Sequence, residues 1–332
     1  VRGVEAIQEY ADNTYRAIVE YVLDHEEPLP AGTRIQLSAA DGRLMAVVGE
    51  GTPFDLFSLL PQQYRGDVAA VEAELDAIVG LDTVKEFVRD IARNVQAQQR
   101  RKAQGLTAAT VNMHMIFTGN PGTGKTTIAR ILAKYLKAIG ALRGGQLVEV
   151  TRADLVGRYV GHTAPLTNQV IRSALGGVLF IDEAYSLYRG KDDSFGLEAI
   201  DTLVKGIEDH RDDLVVILAG YTREMQQFLT ANSGLESRFP NRIEFPDYNG
   251  AQLWKIAQSI ADGKGYLLDA SCEMPLRIYF DRKQAEDAAQ NGNGRMARNV
   301  VERAILNQSK RLVADPSASL ELLLPGDFDL DD

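Results

Sequence analysis

Short apolar runs at 113–118, 147–151, 178–182, 214–220 and 242–245 alternate with stretches whose apolar residues recur every three or four positions. The second kind covers about 124–139, 163–175 and 196–210; in the last, Leu197, Ile200, Leu203, Val204 and Ile207 form one stripe. That spacing predicts helices buried along one face. The runs that are apolar throughout predict strands buried on both faces, as in a parallel sheet covered by helices. After Asn249 the strand signal stops, and helical spacing over 250–262, 272–288 and 294–312 predicts a second, all-helical domain. Upstream, LDAIVGLDTVKEFVRDIARNVQAQQRRKAQG from Leu75 predicts a long helix entered through a short apolar turn.

The N-terminal stretch reads differently. Val4, Ile7, Ala11, Ile18 and Val22 keep a helical spacing over residues 1–24, and the prolines of HEEPLPAG end it. RIQLSAADGRLMAVVG predicts two strands around an Asp41-Gly42 turn. GTPFDLFSLLPQQYRG is irregular, and a helix resumes near Asp67. The expected division is an α+β module over 1–70, an α/β domain over 71–248, a helical domain over 249–314 and an acidic, solvated tail over 315–332. The module either binds a partner or is a structural appendage or part of a longer domain.

Composition narrows the class. At 332 residues, 45% apolar and 25% charged, the chain suits about two soluble domains. Its longest apolar runs, such as LVVILAGY at 214–221, fall short of the ~18–20 residues that cross a bilayer, so no membrane insertion is expected. No signal-peptide pattern stands at the start, and a single cysteine, Cys272, fits a reducing cytoplasm. The chain opens on Val1, which suggests residues upstream. A formal charge of −10 argues against broad binding to nucleic acid or anionic membranes.

The chemistry lies at the ends of the predicted strands. MIFTGNPGTGKTT carries G-x-x-x-x-G-K-T from Gly119 to Thr126, after an apolar strand and opening a helix. In that context it is a phosphate-binding P-loop. Gly119, Gly122 and Gly124 let successive N–H groups curl around phosphates, with Pro121, Thr123 and Thr127 completing the loop. Lys125 is placed to reach the β- and γ-phosphates of ATP, and the Thr126 hydroxyl to ligate Mg²⁺. GGVLFIDEAYSL then drives a strand out to Asp182 and Glu183. Asp182 would hold the Mg²⁺ shell and Glu183 would polarise the attacking water. A lone Asp-Glu after a strand is commonly a solvated turn; downstream of a P-loop it points to hydrolysis.

GNPGTGKTT, VLFIDEAYSL, LESRFPNRIEFPDY and NGNGRMARNVVERA, in that order, resemble the AAA+ ATPases. The long matches point to the group of stage V sporulation protein K, the red-type Rubisco activases and the type VII secretion ATPases. Residues 193–225 resemble the sporulation and secretion members most closely. The resemblance spans about residues 75–312. It implies an α/β P-loop core with a parallel five-stranded sheet between helices, followed by an all-helical lid domain. Val79 and Gly80 then line the adenine pocket. Arg238 matches the arginine finger that reaches a neighbouring subunit's γ-phosphate, a task suited to a permanently charged, bidentate donor. Arg242 is either a second such arginine or a surface charge. Arg295 matches the sensor-2 arginine of the lid, with Arg298 the weaker alternative. Where many members carry a polar sensor-1 residue, usually Asn, this chain has Tyr221 and Thr222; either hydroxyl could orient water, or Tyr221 simply caps the sheet.

One loop remains. In DLVGRYVGHTAP, Tyr159 and Val160 stand between Gly157 and Gly161, poor ground for a packed core. By resemblance, Tyr159-Val160-Gly161 is the pore loop of protein-threading members. An aromatic side chain suits a grip on unspecified polypeptide because it offers area at low entropy cost. The alternative is that Tyr159 packs on its own domain. The function expected is a Mg-ATP-dependent ring, a homo-oligomer that the resemblance makes hexameric, remodelling or threading a protein substrate. A nucleotide-switched scaffold is the second reading, a DNA-acting motor the third and a small-molecule kinase the last.

Overall fold

Ile35–Ala40 (β1) and Arg43–Val48 (β2) pair antiparallel from Ile35 opposite Val48 to Ala40 opposite Arg43, as the hairpin spacing predicts. Phe54–Asp55 (β3), in the stretch expected to be irregular, adds a third strand against Met45 and Ala46. Ala17, Ala46 and Leu56 form the module's small core, with the Tyr21 ring stacked on Phe54 at 5.0 Å. The computed structural model describes residues 33–40, 43–49, 51–56, 68–109, 111–231, 233–315 and 317–330, with helical positions 10, 11, 14, 15, 17–19 and 21. The rest of the helix expected over 1–24 and the turn residues Asp41 and Gly42 lie outside them.

Two helices, Val68–Asp76 (α1) and Asp82–Ala103 (α2), follow, separated by the apolar turn. Gly80 (φ 62°) and Leu81 (φ 57°) are both left-handed there, which stops one helix before the next begins. The five apolar runs form Met115–Gly119 (β4), Leu147–Val150 (β5), Val178–Ile181 (β6), Val215–Gly220 (β7) and Asn241–Phe245 (β8). All pair in parallel, in the order β5-β6-β7-β4-β8. Between them run Lys125–Ala138 (α3), Thr163–Ala174 (α4), Ser194–Asp209 (α5) and Thr222–Ala231 (α6).

Strand alternation explains why the central runs β6 and β7 are apolar throughout, while the edge strands β5 and β8 carry exposed Glu149, Arg242 and Glu244. Met115, Phe117, Val178, Phe180, Val215 and Ile217 point into one core with α2, α3 and the C-terminal helices. Their neighbours Ile116, Leu179, Ile181, Val216 and Leu218 point into the other, with α4, α5 and α6. Each fully buried side chain contributes about 1.5–3 kcal/mol, so polar residues are rare among the buried positions. The exception marks a specific need: His114, buried just before β4, accepts from the Val216 N–H at 3.1 Å through Nδ1. Burial pushes its pKa down to about 4, leaving the ring neutral and able to accept.

The helical domain comprises Gly250–Asp262 (α7), Glu273–Asn291 (α8) and Gly294–Ala314 (α9). The expectation of a solvated tail after residue 314 is overturned. Leu322–Leu323 (β10) pairs in parallel with Leu267–Leu268 (β9), and Leu323 and Phe328 join the main core. Asp327, 2% exposed, receives two hydrogen bonds at 2.9 Å from Arg311 and another from the Leu324 N–H. The aspartates around Phe328 mask an apolar anchor, and one of them is a buried ion-pair partner rather than a solubilising charge. No helix among the described residues is long and apolar enough to cross a membrane.

Candidate active site

In an open parallel sheet, ligands bind at the carboxyl ends of the strands, where the strand order reverses. Here the reversal falls beside β4, between β7 and β8. The loop leaving β4 is the P-loop, and the N-terminus of α3 points its free N–H groups at the same place. Gly122 shows why the loop needs glycine: its φ is 71°, and a Cβ would collide with the Gly292 carbonyl of the helical domain. Lys125 turns its ammonium back onto the loop, donating to the Gly119 and Asn120 carbonyls at 2.8 Å each. The Thr123 hydroxyl, fully buried, donates to the Asn120 carbonyl.

The carboxylates converge on that ammonium. Burial pulls Lys125 down to about 8; Asp182 and Asp247 oppose the shift, and Arg295 adds to it. Lys125, Asp182, Asp247 and Arg295 therefore share one electrostatic site, although they come from four separate segments. Asp182 directly follows β6 and accepts from the Glu183 N–H at 3.0 Å, while its own N–H donates to the Val150 carbonyl. Glu183 sits left-handed at φ 48° and is exposed at the sheet's rim. Tyr221, at the end of β7, lies in the field of Glu183, Asp182 and Arg295; burial, then Glu183, pushes its phenol up. Its ring lies 5.7 Å from that of Tyr185, whose phenol burial and Glu183 also push up.

Val79 and Gly80 reach the site from the other side. A Cβ on Gly80 would strike the Gln252 side chain of α7, close to the Tyr248 ring. The Tyr248 hydroxyl donates to the Thr123 carbonyl at 3.2 Å, so the turn, the P-loop and the helical domain meet. The residues fit ATP with Mg²⁺. The loop offers N–H groups, a helix terminus and an ammonium hydrogen-bonded to loop carbonyls, while Thr126 and Asp182 supply the hard oxygen atoms that Mg²⁺ takes.

Other expected residues stand apart. Arg238 precedes β8, and Asn112, before β4, donates to its carbonyl at 3.0 Å. Gly119 pairs with Phe245, at the far end of the same strand. Five residues of strand, about 13 Å, thus separate Arg238's end of the sheet from its own P-loop. Its Nη1 donates to the Gly234 carbonyl at 2.9 Å, and Nε, 3.8 Å from Glu208, makes no hydrogen bond. Arg242 pairs with Glu236 at 2.8 Å, which favours the surface-charge reading. Tyr159 and Val160 are 69% and 88% exposed, so Tyr159 is not a core residue. Its ring meets the His162 ring edge-on, at 5.5 Å. Gly161, at φ 81°, turns the loop there.

A family model, "ATPase family associated with various cellular activities (AAA)", matches residues 115–247, and an AAA lid domain model matches 249–332. Stage V sporulation protein K of Bacillus subtilis is 46% identical over 250 residues, 75% of this chain and 78% of its own. The chain belongs to the AAA+ ATPases. Protein CbbX of Cereibacter sphaeroides is 44% identical, covering 79% of this chain and 85% of its own. The chloroplastic ribulose bisphosphate carboxylase/oxygenase activase of Cyanidioschyzon merolae is 43% identical, covering 73% and 83%. The FIGL-1 AAA domain in complex with ADP shares the fold, with a TM-score of 0.53 at 19% identity over 76% of this chain and 80% of that one. As an AAA+ ATPase the protein hydrolyses ATP, and the lid match extends through the segment expected to be a tail. Asn120, Tyr185, Asp247, Tyr248 and Asn293 escaped sequence reasoning. For Asn293 a signal existed, an asparagine between two glycines at the start of a lid helix.

Proposed function

We propose that this AAA+ ATPase forms a homo-oligomeric ring, hexameric by family resemblance, that uses Mg-ATP hydrolysis to remodel or thread a protein partner. The observation that carries this reading is the exposure of Tyr159 and Val160 on a glycine-turned loop. A large aromatic side chain with no core to fill offers non-directional grip. Arg238 supports the ring: it lies at the wrong end of its own sheet to serve its own P-loop and suits one in a neighbour. A finger donated in that way needs a head-to-tail contact, and such contacts close into rings when the rotation allows.

Within each site, Lys125 and the loop N–H groups would bind the phosphates, and Thr126 and Asp182 would hold Mg²⁺. The ion supplies charge neutralisation at the transferring phosphoryl group. Glu183 stands beyond Asp182, where a carboxylate orients water and takes its proton. Tyr221 lies in the field of Glu183 and is the candidate for sensor 1. Arg295 brings lid charge to the phosphates. The buried, lone Cys272, pushed up to about 11 mainly by burial, is an unreactive thiol and fits a reducing cytoplasm.

Glu183→Gln tests the reading, because the change spares binding and removes the base. An ATP-loaded Glu183→Gln ring is expected to lose turnover and to retain a protein partner in a pull-down, released when ADP replaces ATP. Normal hydrolysis by Glu183→Gln would displace it as the base. Equal recovery of the partner in ATP and ADP would contradict nucleotide-driven engagement.

A further inference from the structure

Asn293 is fully buried and sits at φ 46°, ψ −119°, a backbone region that favours glycine. Its neighbours are both glycines, so the chain places its one side chain where a third glycine would be less strained. The carboxamide accounts for that. Its Oδ1 accepts from the Tyr248 N–H at 2.9 Å and from Gln284 Nε2 at 2.7 Å. Its Nδ2 donates to Asp247 Oδ1 at 2.8 Å and to the Pro121 carbonyl at 3.3 Å. All four hydrogen-bonding positions of the amide are used.

These partners come from three bodies that an ATPase cycle must keep in register. Pro121 belongs to the P-loop. Asp247 and Tyr248 form the junction between the α/β domain and the lid, and Gln284 lies on α8 of the lid. Asp247 also accepts from Asn120 Nδ2 of the P-loop through both carboxylate oxygens, at 3.0 and 2.9 Å. Next to Asn293, the Gly294 N–H donates to the Gly122 carbonyl at 3.1 Å, and one residue later comes Arg295. The P-loop, the junction and the first turn of α9 are thus tied together through one amide. Buried networks of this kind act as a unit because leaving any member unpaired is costly.

We propose that Asn293 is a positioning residue that clasps the P-loop to the lid and sets where Arg295 meets the phosphates. The inference rests on the reading of Arg295 as the lid arginine. Asn293→Gly is the incisive substitution, since it preserves the backbone conformation and removes only the clasp. Asp247→Asn is a second probe, because it replaces the carboxylate acceptor on which Asn120 and Asn293 converge.

The experiment is a double-mutant cycle on ATP turnover by the full chain, with ADP affinity measured alongside and folding checked by thermal melt. Asn293→Gly and Asp247→Asn are each expected to lower kcat/KM by between about 5- and 150-fold, the span of ordinary coupling between linked sites. In an Arg295→Ala background they are expected to lower it little further, because the group they position is already gone. A merely structural defect would multiply the Arg295→Ala loss instead. Such multiplicative losses, or wild-type kinetics for both Asn293→Gly and Asp247→Asn, would overturn the role of Asn293 and leave Arg295 in place. Wild-type turnover by Arg295→Ala alone would overturn the lid-arginine reading and, with it, the clasp.

Discussion

Replacing Arg238 with Ala is expected to leave ATP affinity near wild type and to lower hydrolysis by about a thousandfold, the low end of an arginine finger's contribution. Binding is spared because Arg238 sits at the opposite end of β8 from its own P-loop. Turnover is lost because the neighbour's γ-phosphate loses a cation placed where charge develops in the transition state. The side chain is only loosely committed within its own subunit, with one carbonyl bond and a 3.8 Å approach to Glu208, so its removal costs the fold little. Mixing sharpens the test. Arg238→Ala subunits combined with Lys125→Ala subunits are expected to regain activity at interfaces where one supplies the pocket and the other the finger. Confirmed mixed rings with no recovery would count against a site shared between subunits.

Lys125→Ala has the second large effect, on binding. A charged hydrogen bond to phosphate contributes about 2 kcal/mol or more, so ATP affinity is expected to fall tens-fold by calorimetry. The ammonium carries a further signature. In the free protein burial holds Lys125 near 8, and phosphate oxygens stabilise its charged form. Its pKa therefore rises on binding, and affinity is constant below about pH 8 and falls above it, as a proton must be taken up. That dependence disappears in Lys125→Ala. Unchanged affinity in Lys125→Ala would remove the assignment of this loop to the phosphates.

The sheet and the phosphate loop were legible because each is encoded locally. Strands buried on both faces leave apolar runs, and a loop that wraps phosphate needs its glycines, lysine and threonine in adjacent positions. The polar node at Asn293 was legible only in its flanking glycines, since Pro121 and Asp247 lie 172 and 46 residues away and its partners carry no periodic signal. Tyr185 drew no attention for a similar reason: it follows a recognisable Asp-Glu pair, and only folding brings it against Tyr221. The last segment misled through its charge. In LELLLPGDFDLDD the aspartates outweigh one phenylalanine by composition, while in space Phe328 is buried and Asp327 is neutralised by Arg311. Val79, Gly80 and Arg295 were placed by resemblance rather than by chemistry, and the structure brings Arg295 to Lys125 electrostatically.

The central claim is that ATP hydrolysis is coupled to a grip on polypeptide through Tyr159. It is tested most directly by measuring ATPase stimulation with the partner that Glu183→Gln retains, for wild type, Tyr159→Phe and Tyr159→Ala. The ring is 69% exposed, so Tyr159→Ala is expected to melt like wild type and to keep basal hydrolysis. It is expected to lose stimulation by the partner, whereas Tyr159→Phe retains most of it because ring area provides the grip. A melting temperature lowered as for a core aromatic, or partner stimulation in Tyr159→Ala equal to wild type, would contradict threading through this loop.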